Sequence, residues 1–158
     1  MEILGLYHTG LVVANLDHAI EFYTGTLGLY VERPATEQSS DWIARVVGFS
    51  SARMRMAYVG AGTGHSFELI EYLEPEGSKE VNSVERNSVG ASHVGMVVDD
   101  VLAWYKKLEE AGVRVTGPPT KRDVEYPWAT YAFYFQDPDG NWLEMVERAS
   151  RPEGSDQN

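Results

Sequence analysis

The chain has 158 residues, of which 43% are apolar and 23% charged, and this composition is typical of a soluble globular protein. Its 24 acidic and 13 basic residues give a net charge of −11, which disfavours binding to nucleic acids and to anionic membranes. The absence of cysteine excludes disulfides and thiolate sites, so any metal ligands must be histidines and carboxylates. No apolar run approaches the roughly 18 residues of a membrane span, and the N-terminus lacks the pattern of a signal peptide. We therefore expect a cytoplasmic protein that binds neither nucleic acids nor membranes.

The first half of the chain predicts four strands and one helix. Asn15 or Asp17 caps the helix, whose apolar side chains fall on one face, and Gly28 ends it. Residues 35–51 are polar and then mixed, and they predict a loop that contains at most a short helical turn. The strands are apolar or alternating stretches that end at breakers such as Pro34. They are residues 6–13, 29–32, 53–59 and 65–73.

The second half predicts the same order of elements. Asp99 or Asp100 caps its helix, which ends near Gly112. Residues 117–119, Gly-Pro-Pro, break the strand before them. Residues 137–140 predict a type I turn, because Asp, Pro and Gly occupy its first, second and last positions. The predicted strands are residues 93–98, 113–116, 130–136 and 142–148.

A sequence repeat relates the two halves. His93 follows His8 by 85 residues, and the residues after the two histidines share this offset. The apolar-Glu-apolar-apolar-Glu pattern of residues 67–71 recurs at residues 143–147. The first glutamate of this pattern follows its histidine by 60 residues in the first half and by 51 in the second, so nine extra residues fall in the loop at residues 35–51. The repeat predicts an α+β fold, in which two tandem βαβββ modules form a curved mixed sheet with helices outside.

We expect one domain over residues 1–158, made of two modules and a linker. Module 1 covers about residues 5–74, and module 2 covers about residues 90–148. The polar residues 75–89, which include Gly and Ser, link the two modules. The polar tail at residues 151–158 is expected to be disordered.

Two histidines and two glutamates occupy matching places in the two modules. His8 and His93 open strands, and Glu68 and Glu144 lie in the repeated strand pattern. Equivalent residues of a duplicated module converge near the axis that relates the copies, and this set suits one divalent ion: Zn, Ni, Co, Mn or Fe(II). A second acid lies three residues after each glutamate, on the opposite face of its strand. Parity alone does not decide which acid of each pair points inward.

Six stretches in the two modules together match a known pattern: residues 8–13, 19–23, 27–29, 67–69, 93–98 and 137–144. They resemble the vicinal oxygen chelate superfamily, which includes glyoxalase I, methylmalonyl-CoA epimerase, extradiol dioxygenases, and fosfomycin or bleomycin resistance proteins. The resemblance implies a metal ion in the cup of the sheet and commonly a homodimer. It also implies that Glu68 and Glu144 are the inward-facing ligands, with Glu71 and Glu147 facing outward. A set of two His and two Glu is closest to the pattern of glyoxalase I.

This resemblance implies a metal-dependent lyase or isomerase, in which the ion stabilises an enediolate while Glu68 or Glu144 moves a proton next to a carbonyl. The strand that carries Glu68 is not followed by the asparagine that often holds glutathione in glyoxalase I. We therefore predict an apolar or aromatic small-molecule substrate in place of the glutathione hemithioacetal. The candidate pocket residues are Trp42, Phe49, Arg55, Tyr58, Tyr126 and Trp128.

Two other functions are open at this point. One is an Fe(II) or Mn(II) ring-cleaving dioxygenase of the extradiol type, and a requirement for O2 would favour it. The other is a non-catalytic protein that binds a small molecule or confers resistance. Purified protein without stoichiometric metal, together with no effect of Glu144→Ala, would favour that function.

Overall fold

The computed structural model of this chain describes residues 1–79, 84–122 and 129–148. The chain divides into two compact units, Met1–Val81 and Asn82–Asn158. Among the described residues, no helix is long and apolar enough to cross a membrane.

Each unit contains one four-stranded sheet and its helices. The first unit comprises β1 (His8–Val12), α1 (Leu16–Glu21) with a π-helical continuation (Phe22–Thr26), β2 (Tyr30–Gln38), α2 (Asp41–Val47), β3 (Arg53–Gly60) and β4 (Ser66–Glu74). The described part of the second comprises β5 (Val94–Val98), α3 (Val101–Glu110), β6 (Thr120–Lys121), β7 (Tyr131–Gln136) and β8 (Trp142–Glu147). The strand orders are β1-β4-β3-β2 and β5-β8-β7-β6, and in each sheet the first strand runs parallel to its neighbour. The prediction of an α+β fold of tandem βαβββ modules is confirmed, and the predicted tail at residues 151–158 lies outside the described residues.

Helix α1 begins and packs as the sequence predicts. The Asn15 side chain accepts a hydrogen bond from the His18 backbone N–H at 3.0 Å, which satisfies one unpaired donor of the first turn. Leu16, Ala19 and Tyr23 are buried, so one apolar face of the helix is removed from water. Helix α3 repeats this arrangement in the second unit, with an aspartate as its N-cap.

Strand β2 is longer than the sequence predicts. The predicted strand ends at Pro34, but β2 continues through Pro34 to Gln38. β2 lies at the edge of its sheet, and its register with β3 shifts between Arg33 and Thr36. A proline is tolerated there because its missing N–H removes no hydrogen bond from the interior of the sheet. The prediction was wrong because proline ends central strands but not edge strands.

The segment at residues 35–51 also contains more structure than the predicted loop. Helix α2 begins after Ser40, whose side chain accepts a hydrogen bond from the Ile43 N–H at 3.2 Å, and it ends at Gly48 with φ of 80°. Its apolar face packs against side chains of β3 and β4. The residues in this cluster are Ile43, Ala44, Val47, Ala52, Met54, Met56, Ile70 and Tyr72. Helix α2 therefore packs on the face of the sheet that Ile70 and Tyr72 share with Glu68.

The strand that the sequence predicts at residues 113–116 is reduced to one bridge, between Val115 and Phe135. Gly117, with φ of 152°, and the two prolines after it interrupt the pairing. Pairing with β7 resumes at Thr120.

Side chains alternate between the two faces of each sheet. In β4, Phe67, Leu69 and Glu71 are buried on the face that carries α1, whereas Glu68 and Ile70 point to the other face. Strand β8 repeats this alternation. The two acids of each repeated pattern therefore lie on opposite faces, as strand parity predicts.

The second acid of each pattern caps a helix instead of facing water. Glu71 is 7% exposed, and its carboxylate accepts hydrogen bonds from the Leu16 backbone N–H at 3.3 Å and from Arg55 at 3.1 Å. Arg55 also binds Asp17 at 2.8 Å, and this hydrogen bond holds the pKa of Asp17 below its usual value. Glu147 accepts the equivalent bond from the first N–H of α3 at 3.0 Å. The expectation that Glu71 faces outward is corrected, because the helix that starts above it needs an acceptor.

We expect Glu71→Ala to lower the free energy of unfolding by about 2–3 kcal/mol, because it leaves a helix N–H and Arg55 without their buried acceptor. Urea unfolding followed by circular dichroism measures this change. Glu74→Ala is the control, since it removes an exposed partner of Arg53 and should cost less than about 1 kcal/mol. Equal unfolding midpoints for Glu71→Ala and the unmodified protein would contradict the capping role.

Candidate metal centre

In the first unit, β1 and β4 bring a histidine and a glutamate together. Their parallel register places Gly10 opposite Glu68, and His8 lies two residues earlier on the same face. The His8 Nε2 atom is 3.0 Å from Glu68 Oε2. A Cβ atom at Gly10 would lie 3.8 Å from the same oxygen, so the glycine leaves the carboxylate room beside the imidazole.

The second unit repeats this arrangement with β5 and β8. Gly95 lies opposite Glu144, and the Nε2 atom of His93, directly before β5, is 3.4 Å from Glu144 Oε2. A Cβ atom at Gly95 would approach this oxygen to 3.3 Å, a tighter fit than at Gly10. The side chains of Glu68 and Glu144 are 12% and 19% exposed, so both carboxylates are largely shielded from water.

A tyrosine accompanies each pair, from the strand directly opposite the glutamate. Tyr58 donates a hydrogen bond to Glu68 Oε1 at 2.5 Å, and the Tyr134 hydroxyl lies 3.2 Å from His93 Nε2. Burial and the hydrogen bond to Glu68 raise the pKa of Tyr58 well above its usual value. Burial and then the charge of Glu144 raise the pKa of Tyr134. Both phenols are therefore protonated hydrogen-bond donors at neutral pH.

An arginine stacks on each tyrosine. The Arg33 guanidinium carbon lies 4.7 Å from the ring centre of Tyr58. Arg86 lies 5.2 Å from the ring centre of Tyr134 and 4.8 Å from that of Trp142. These distances allow cation–π attraction, which is stronger when the pair is partly shielded from water. Each His–Glu pair therefore has a tyrosine and a stacked arginine beside it.

An open pocket of about 690 Å³ lies beside the pair of the second unit. This volume is in the range of small-molecule sites. Its walls are formed by residues of β7 and of the segment 116–120, together with two residues from before β5. The lining residues include Arg86, His93, Thr116, Pro118, Thr120 and Tyr134.

The donor atoms and their spacing fit a divalent metal ion. Two ligand atoms that each lie about 2.1 Å from one ion are separated by roughly 3.0–3.4 Å when they occupy neighbouring positions. The two His–Glu distances, 3.0 Å and 3.4 Å, have this separation. Across residues 1–79, 84–122 and 129–148, no three His, Cys, Asp or Glu side chains form a group that could hold a metal, so each unit by itself offers two ligands.

The comparison with known families covers most of the chain. Residues 5–145 match the family described as the glyoxalase/bleomycin resistance protein/dioxygenase superfamily. The chain belongs to this superfamily. The resemblance that the sequence motifs indicate is thereby confirmed.

Several relatives in this superfamily are named as enzymes. The chain is 30% identical to a 2-epi-5-epi-valiolone epimerase of an Actinomyces species over 148 residues, which are 90% of this chain and 79% of that protein. It is 28% identical to the lactoylglutathione lyase of Haemophilus influenzae over 156 residues, 98% of each chain. The crystal structure of a glyoxalase family protein from Bacillus cereus superposes with a TM-score of 0.80 at 23% identity, covering 95% of this chain and 97% of that one. That structural match supports the superfamily fold.

The predicted pocket residues take different positions in this superfamily fold. Tyr58 lies beside Glu68, as its register requires. Trp42 is exposed on α2, and Phe49 follows that helix with its ring edge against Tyr72. Arg55 lies on the opposite face of the sheet, where it binds the capping acid of α1, so we remove it from the pocket. The remaining two, Tyr126 and Trp128, lie outside the described residues.

Sequence reasoning missed Tyr134, Arg33 and Arg86. A signal for Tyr134 was present, since it precedes Glu144 by ten residues, as Tyr58 precedes Glu68. The two arginines come from unrelated positions of the repeat, one on β2 and the other in the linker before β5. No sequence spacing connects them to the tyrosines on which they stack.

Proposed function

We propose that this chain is a metal-dependent isomerase or lyase that transfers a proton at a carbon next to a carbonyl. Its four metal ligands would be His8, Glu68, His93 and Glu144. The observation that carries the proposal is the matched His–Glu pair, built in both modules on the same strand register opposite a glycine. The membership of the chain in a superfamily whose relatives include a lyase and an epimerase supports it.

A bound divalent ion would supply positive charge that stabilises negative charge on neighbouring substrate oxygens. The residues of this chain supply the remaining functions. A carboxylate removes the proton and returns it, and the two phenols donate hydrogen bonds beside the His–Glu pairs. The low exposure of both glutamates strengthens these interactions, because water screens them less.

We assign the base to Glu144 and a holding role to Glu68. Both oxygens of Glu68 have close partners, Tyr58 at Oε1 and His8 at Oε2. These two contacts hold the Glu68 carboxylate in place, which suits a ligand that does not move during the reaction. Glu144 is the more exposed of the two carboxylates, and its partner His93 lines the open pocket.

We propose a small ketone or aldehyde with an oxygen on the neighbouring carbon as the substrate. Inversion of a stereocentre by an epimerase can begin with the same step, the removal of a proton next to a carbonyl. The exposed aromatic side chain of Trp42 lies on α2 and that of Phe49 just after it, on the Glu68 face of the first sheet, and both suit an apolar part of the substrate. A cytoplasmic homodimer is the setting we propose for this activity.

Metal analysis of the native protein, followed by proton exchange in D2O, tests the proposal. We expect about one divalent ion per chain, because the four proposed ligands of one chain together hold one ion. We also expect deuterium incorporation next to the carbonyl of 2-hydroxyketone substrates, lost with EDTA and restored by the metal. The exchange should proceed without O2. A strict requirement for O2 would support a dioxygenase, and the absence of both metal and exchange would support a binding protein.

A further inference from the structure

The pocket of the second unit contains a cation that the proposed proton transfer does not use. Arg86 lies in the wall of this pocket together with His93 and Tyr134. Its guanidinium stacks on two rings, those of Tyr134 and Trp142. A contact with the face of a ring is an attraction to the positive charge and does not use the N–H donors of the guanidinium, which can still bind an anion.

Hydrogen bonds on both sides anchor the short segment that carries Arg86. The Trp142 indole N–H donates to the Val84 carbonyl at 3.0 Å, two residues before Arg86. The Ser88 N–H donates to the Glu85 carbonyl at 2.9 Å, and this turn encloses Arg86. Because both backbone and ring contacts restrain the side chain, a ligand that binds it loses less conformational entropy.

Within the part of the chain that the structure describes, the charge of Arg86 is not neutralised by an ion pair, unlike the charges of Arg53 and Arg55. Arg53 and Arg55 each form ion pairs with two carboxylates. Among the described residues, no carboxylate forms an ion pair with Arg86. A positioned guanidinium in the wall of a pocket, without an ion pair among the described residues, is suited to bind an anionic oxygen group.

We propose that Arg86 and the pocket beside His93 bind an anionic oxygen group of the substrate, either a carboxylate or a phosphate. The guanidinium edge would donate two parallel hydrogen bonds to such a group, and the Thr120 hydroxyl in the same wall is a further donor. This inference rests on the proposed function, because it assigns a second group to the molecule that reacts beside His93. The substrate class then becomes an oxygenated carbonyl compound that carries one anionic group.

NMR titration of the 15N-labelled protein tests this site, with sodium phosphate, sodium acetate and acetamide as probes at constant ionic strength. The Trp142 indole N–H signal, assigned with Trp142→Phe, reports on the pocket. We expect phosphate or acetate to shift it and acetamide, which has the shape of acetate without its charge, to leave it unchanged. The anion that binds with the higher affinity indicates whether the anionic group of the substrate is a phosphate or a carboxylate.

Substitutions at Arg86 separate this site from general charge effects. Arg86→Gln should weaken anion binding by at least about tenfold, because it removes charge-assisted hydrogen bonds. Arg86→Lys should weaken it less, since it keeps the charge and loses the bidentate geometry. Lys106→Gln removes one charge from the exposed face of α3 and should change affinity by less than about twofold.

The titration is made on the protein as purified and repeated after EDTA treatment. Equal affinities in Arg86→Gln and the unmodified protein, or no binding of either anion, would overturn the inference. Anion binding that disappears with EDTA but survives Arg86→Gln would place the anion on the metal and overturn it as well. Failure of the proposed function is a separate result, because loss of metal and proton exchange does not affect phosphate or acetate binding at Arg86.

Discussion

Glu144→Gln is expected to reduce the rate of proton exchange by about 10²- to 10⁴-fold, the contribution of a positioned general base. The substitution keeps the shape of the side chain and removes its ability to accept a proton. Deuterium incorporation next to the carbonyl of a 2-hydroxyketone, followed by NMR, measures the rate. Metal content is measured on the same samples, so that a loss of the ion is distinguished from a loss of the base.

Two matched substitutions serve as controls for the Glu144→Gln result. Glu147→Gln changes the other acid of the same strand, which caps α3 on the opposite face, and should lower stability while leaving metal content unchanged. Glu68→Gln should reduce exchange less than Glu144→Gln, because the contacts with Tyr58 and His8 hold Glu68 in place as a ligand, whereas Glu144 is the proposed base. A larger loss with Glu68→Gln would reverse the two roles. Full activity in Glu144→Gln would remove the proposed base altogether.

The positions of the His–Glu pairs could be predicted because the duplication gives two independent examples of one pattern. An offset of 85 residues relates His8 to His93, and the parallel strand pairing then places each first glutamate opposite a glycine. Strand parity separates the two acids of each pattern without knowledge of the partner strands. The repeat and parity leave one acid of each pattern on each face, and the family resemblance identifies Glu68 and Glu144 as the acids that meet the histidines.

The role of the second acid could not be predicted in the same way. Parity places Glu71 on the face opposite Glu68, where the helices are predicted, but parity does not state which side chain accepts hydrogen bonds from the helix. Helix α1 covers this face, and the unpaired N–H of Leu16 and the guanidinium of Arg55 both need an acceptor. The same lack of tertiary information led us to place Arg55 in the pocket.

Long-range contacts from irregular segments are the least predictable. Arg86 reaches Tyr134 and Trp142 across about 50 residues of sequence, and no periodicity links a linker residue to two strands. Pro34 is a related case, since only the position of β2 at the sheet edge allows the strand to continue. Local sequence patterns predict the strands and helices and the face on which each side chain lies. Contacts made by linker residues and by edge strands depend on the assembled sheet.

His93→Ala is expected to weaken metal binding by more than about 100-fold, since even loss of an outer partner of a metal ligand costs 10- to 100-fold. His8→Ala should have an effect of similar size, because the two histidines belong to equivalent pairs. Titration of the metal-free protein with zinc or nickel, in competition with a chromophoric chelator, measures the affinities. Removal of either imidazole also leaves the glutamate of the same pair as the single proposed ligand from its module.

His65→Ala is the matched control for these histidine substitutions. His65 lies in the first unit and its ring bonds to the Thr9 hydroxyl at 2.9 Å, so its loss should leave the metal affinity unchanged. A site that needs both modules predicts equal losses for His8→Ala and His93→Ala. Loss of metal with only one of them would assign the ion to a single module, and the proposed set of four ligands would then be wrong. Unchanged affinity in both would show that the pairs are ion pairs between side chains, with no metal between them.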